Sequence, residues 1–168
     1  MKISLNKKFT HTLKFNASLL RERGFTLIEL LVVVAIVAIL SGIVMASLGS
    51  SRTKAIDTAI KNDLNNIAKQ AEIYYGLNGT YGTFSEATCP TVIGGGSNLF
   101  NNDSRMLGII SHANNSSGNG SSCSSTGEKY AISIGLKTVG QSLCIDDTKI
   151  VKQYTGTPAA SMTNSSCN

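Results

Sequence analysis

The sequence predicts an α+β protein in which one long N-terminal helix carries a small antiparallel sheet of about three strands. Three observations predict it. Residues Leu30–Ser51 form a run of 22 without a charged side chain. Ile56, Ile60, Leu64, Ile67, Ala71 and Tyr74 then recur at spacings of 4, 4, 3, 4 and 3, which traces one face of an amphipathic helix. Towards the C-terminus, Tyr130, Ile132, Ile134 and Leu136 alternate with the period of a strand.

The chain opens with a basic segment. Residues 1–24 hold six lysines and arginines against Glu22 alone. Of the 15 basic and 10 acidic side chains in the whole chain, nine of each therefore remain in residues 25–168. The net charge of +5 belongs to the first segment, which reads as a cytoplasmic leader. The rest is neutral overall, so a nucleic-acid-binding reading loses its main support. Arg52 and Lys54 remain as a local basic pair.

Residues 25–51 follow as the apolar half of the helix. A helix needs about 20 residues to cross a hydrocarbon core, and this run supplies them. A basic segment before an apolar one also resembles a secretory signal peptide, with Met45–Ser47 as a weak cleavage site. Against that, the run is longer than a usual signal core and continues into the amphipathic pattern. Glu29 near its start is out of place: a carboxylate at membrane depth costs about 2.5–3.5 kcal/mol.

Residues 52–168 read as an exported domain. The amphipathic half-helix spans 52–76, with Gly76 and Asn78-Gly79 as stop and turn signals. Residues 77–127, including GGGSN and SHANNSSGNGSSCSSTG, are expected to be loop. Strands are expected within 128–155, in EKYAISIGLKT, QSLCIDD and TKIVKQY, with Asp146 and Asp147 in a turn. A tail runs on to 168. The four cysteines, Cys89, Cys123, Cys144 and Cys167, contain no CxxC pair, which argues against zinc. An even count in an exported domain fits two disulfides, and three pairings are open. No catalytic residue, cofactor or metal is expected: beyond residue 24 His112 is the sole histidine, and no nucleophile–base pair or P-loop is present.

RGFTLIELLVVVAIVAIL resembles the class III signal of type IV pilins and pseudopilins, through Gly24, the Phe25-Thr26-Leu27-Ile28-Glu29-Leu30 core and the apolar run behind it. The resemblance implies a pilin-like fold. It also implies cleavage between Gly24 and Phe25 by a separate prepilin peptidase, N-methylation of Phe25, and assembly of the apolar helix with other pilin subunits. Glu29 would then meet the charged N-terminus of a neighbouring subunit. Ala35, Ala38, Ser41, Gly42 and Ala46 would allow close helix packing. Major pilins often close a C-terminal disulfide loop; Cys144 with Cys167 fits that pattern and leaves Cys89 with Cys123. The implied partners are membrane lipid before assembly, the inner-membrane pilus machinery and other subunits of an extracellular filament, with no specific nucleic acid. The other readings are a pseudopilin of a type II secretion or competence system, and a single-span anchored binding module.

Overall fold

The computed structural model describes residues 24–168, so residues 1–23 of the expected leader lie outside the described residues. The chain divides into two units, the first ending at Gly42 and the second running from Ile43 to Asn168. One helix, α1 (Leu27–Asn78), contributes to both.

In the first unit Thr26 stands immediately before α1. The Thr26 Oγ1 accepts the Glu29 amide at 3.3 Å, and Glu29 Oε2 accepts the Thr26 amide at 2.9 Å. This reciprocal pair is a capping box, which satisfies donors that a helix start leaves orphaned. The apolar side chains beyond it are exposed, from Leu27 (80%) to Leu40 (56%).

The second unit is built in three layers. The first is the amphipathic part of α1 with α2 (Leu99–Asn102) and α3 (Ser104–Ser117). The second is a five-stranded antiparallel sheet in sequential order: β1 (Phe84–Thr88), β2 (Ser121–Ser125), β3 (Tyr130–Gly135), β4 (Gln141–Asp146) and β5 (Lys152–Thr155). The third is the C-terminal tail, a 3-10 turn (Ala159–Ser161) and a two-stranded ribbon of β6 (Met162–Thr163) and β7 (Ser166–Cys167). Asn164 and Ser165 both take positive φ in the two-residue turn of that ribbon, as the tight hairpin turns that match strand twist require.

The periodicity sorts residues between layers. Ile60, Leu64, Ile67, Ala71 and Tyr74 of α1 are buried in one cluster with Ile132, Ile134, Leu136, Leu143 and Ile145. Each large aliphatic side chain fully buried there contributes about 1.5–3 kcal/mol. The alternate residues of the same strands face the tail: Ala131 and Cys144 cluster with Met162 and Cys167. Serines fill the rest of that interface, with Ser124 Oγ 2.7 Å from Ser165 Oγ and Ser161 Oγ donating to Ser133 Oγ at 2.6 Å.

The expected loop over 77–127 is therefore corrected. It contains β1, α2, α3 and β2. Met106, Leu107, Ile110 and Ala113 give α3 a buried face, Asp103 caps its start through the Arg105 and Met106 amides, and Gly118 ends it in the left-handed conformation. β2 is buried at every residue although four of its five are serine, because layers cover both of its faces. The sheet has five strands instead of about three, and the expected third strand starts at Lys152, four residues into TKIVKQY. The helix passes through Gly76 and ends at Asn78, where Gly79 takes a φ of 70°. The tail is a layer of the fold, not a fringe. The long helix on an antiparallel sheet, an α+β pilin-like arrangement, stands as expected.

Candidate functional site

The residues singled out in the apolar segment lie together at the start of α1. Gly24 precedes the helix, and a side chain there would meet nothing within 4 Å. Nothing among the described residues demands glycine at that position. Phe25 is 81% exposed. Glu29 is held one turn into the helix by Thr26, whose Oγ1 donates to Oε2 at 2.8 Å in addition to the amide bond. Both bonds fall on the same carboxylate oxygen. The acid also sits where the helix dipole favours negative charge.

The sequence contained the signal for this arrangement. Thr26-Leu27-Ile28-Glu29 ahead of an apolar run has the spacing of a capping box. Reading Glu29 as a costly charge and as the partner of a charged N-terminus missed its bonds to Thr26.

Behind Glu29, the most apolar window of α1 has no buried residues within the protein. Isolated exposed aliphatics are ordinary, but a continuous apolar surface of this length marks a membrane or a protein interface. The segment thus presents an apolar surface with one carboxylate at its edge.

The cysteines lie in the second unit and form two disulfides, Cys89–Cys123 and Cys144–Cys167. The first joins the residue after β1 to the centre of β2. The second staples the tail onto β4. Asp146, 1% exposed, reinforces the staple: its Oδ2 accepts the Cys167 amide at 2.9 Å and the Ser166 hydroxyl at 3.3 Å, while Oδ1 accepts the Thr148 amide at 3.0 Å. Burial pushes the carboxyl up, but the hydrogen bonds from Thr148, Cys167 and Ser166 outweigh it and hold the group below its ordinary value. Asp146 and Asp147 thus form a turn, as expected, with a second task for Asp146 in the tail. Among the described residues no three His, Cys, Asp or Glu side chains gather as metal ligands.

Residues 19–45 match the family described as the prokaryotic N-terminal methylation motif. A stretch of 59 residues is 44% identical to the type IV wide pilus major component PilA4 of Thermus thermophilus. It covers 35% of this chain, and it spans less than half, 45%, of that relative's length. No solved structure matches the chain significantly. The motif and the pilus component together support a type IV pilin.

Proposed function

We propose that the chain, similar to a type IV pilus component, is a structural subunit that polymerises through the apolar part of α1 into a surface filament. The single observation carrying this reading is the unburied apolar face of α1 with Glu29 capped at its start. Before assembly that face crosses the inner membrane once. A prepilin peptidase removes residues 1–24, and the new Phe25 amine is methylated. The amine keeps its positive charge. It lies four residues from Glu29 on its own chain and meets Glu29 of a neighbouring chain in the filament.

The value of that pair lies in register. In a low-dielectric core the attraction is strong, but desolvation removes much of it. A misaligned subunit would leave the carboxylate buried and unpaired, which costs about 3–5 kcal/mol. Both Thr26 hydrogen bonds fall on Oε2, and among the described residues Oε1 accepts none, which suits an incoming ammonium.

The test is mass spectrometry of protein sheared from the cell surface. An abundant N-terminal peptide beginning with methylated Phe25 is expected. In a Glu29→Gln strain the processed chain should remain in the membrane fraction while sheared filament falls at least tenfold. Undiminished filaments from that strain would remove the assembly role of Glu29. A methylated Phe25 peptide found only in the membrane fraction of the unaltered strain would favour the pseudopilin over a surface filament.

A further inference from the structure

We infer that a groove beside the first turns of α1 beyond its apolar stretch holds the headgroup of an anionic phospholipid while the chain is anchored in the membrane. The inference rests on the membrane-spanning reading proposed above. The groove lies wholly in the second unit and has a volume of about 470 Å³. One wall is a single helix face, because Lys54, Asp57, Thr58 and Lys61 stand at positions that align along a helix. Its apolar lining is Leu136 after β3, Leu143 of β4 and Val151.

The charge of the groove is unbalanced. Asp57 is the one acid lining it. Its carboxylate is already engaged by the turn between β3 and β4: Oδ1 accepts the Lys137 amide at 2.7 Å, and Oδ2 accepts the Thr138 hydroxyl at 2.5 Å. The described salt bridges, His112–Asp63 and Lys149–Glu72, lie elsewhere. Lys54 and Lys61 are exposed and have no carboxylate within ion-pairing distance among the described residues. Two free ammonium groups on one helix face of a groove suit a phosphate.

Position selects the source of that phosphate. The uncharged run ends at Ser51. At 1.5 Å per residue, Lys54 lies about 5 Å and Lys61 about 15 Å further along the helix. The headgroup layer of each leaflet is about 5–8 Å thick. With Ser51 at the hydrocarbon edge, Lys54 falls inside that layer, and Lys61 lies about 7–10 Å beyond it, a distance its long stem spans only when fully extended back towards the headgroups. Val139, 90% exposed at the turn that Asp57 pins, adds an apolar tip on the same element. Cationic residues at such a depth favour anionic lipid.

The full chain reconstituted in nanodiscs of phosphatidylcholine, with or without phosphatidylglycerol, provides the test. Phosphatidylglycerol is expected to slow amide hydrogen exchange over residues 136–143 and 151–153 and to leave β2 unchanged. Lys54→Gln with Lys61→Gln should abolish that difference. It should also lower the phosphatidylglycerol-over-phosphatidylcholine preference of retained lipid, read by native mass spectrometry, by roughly tenfold or more. The matched pair Lys69→Gln with Lys129→Gln should change neither readout. Alkali-resistant association with the bilayer is measured in parallel, and its loss would sink the membrane reading itself. Normal insertion with no lipid-dependent protection overturns only the groove. So does equal protection by inorganic phosphate in phosphatidylcholine discs, or protection that arises only in assembled filaments, which would assign the groove to a second copy.

Discussion

Glu29 and Asp146 are both carboxylates whose surroundings define their use, and they differ in how much the sequence discloses. Glu29 is conspicuous because its neighbours are apolar, and its partner Thr26 is three residues away. Asp146 looks like an ordinary turn residue. It does make the turn through Thr148, but its other oxygen serves Ser166 and Cys167, about twenty positions on, where no local pattern points. Asp146→Asn should lower the stability of the domain by about 2 kcal/mol, because an amide group would confront donors that need an acceptor. Chemical denaturation of the full chain in detergent measures it. The same carboxyl predicts an acid-sensitive tail. Its folded pKa lies below the ordinary 3.8, so the unfolded chain takes up a proton first. The stabilisation is complete above the unfolded value and is lost as pH falls through the folded one. Protection of the Cys167 amide against hydrogen exchange, relative to its intrinsic rate at each pH, should therefore fall below about pH 4, more than that of β3 amides.

At the scale of elements, legibility followed hydrophobic contrast. α1 and β3 have long apolar repeats and were readable from spacing. β2 was not, since Ser121, Ser122, Ser124 and Ser125 are buried without being apolar. Small hydroxyls fit between two covering layers, so composition there signalled loop while topology made a central strand. α3 was hidden for a related reason: its apolar face is followed by the Ser-, Asn- and Gly-rich run, which masked the period. Glycines also have unequal weight. Gly82 has a φ of 69°, and a side chain there would lie 2.2 Å from the Ser97 carbonyl oxygen. Gly118 has a similar φ, 72°, with its nearest neighbour the flexible end of Lys137 at 4.0 Å. Gly118→Ala should cost about 1–2 kcal/mol, from conformation alone. Gly82→Ala should cost clearly more, since the backbone after the loop must also move. Thermal unfolding of the two variants side by side checks the order.

For the molecule as a whole, the apolar N-terminal segment was more legible than the domain that follows it. The pattern from Gly24 to Leu40 is local, and a short window contains all of it. The sandwich of α1, sheet and tail depends on contacts between distant segments, and sequence spacing carries no record of which layer covers the second face of a sheet. The tail over that face is expected to depend on its covalent staple. Cys144→Ser with Cys167→Ser opens a loop with a separation of 23 residues and should lower stability by about 3 kcal/mol. Limited proteolysis should then cut first between Gly156 and Asn168, ahead of any cut in β3. A domain that loses stability with its tail still protected would place the effect of the disulfide outside that layer.

The two disulfides have a mechanical consequence. A load carried from α1 to the end of the tail would run along the polypeptide until it reached Cys89, pass through sulfur to Cys123, and pass through sulfur again from Cys144 to Cys167. The bypassed spans, 34 and 23 residues by separation, amount to roughly 190 Å of contour at full extension. That length stays slack however hard the chain is pulled. A domain loaded between α1 and its tail would therefore behave as a short, stiff link, and reduction would turn it into a long, compliant one.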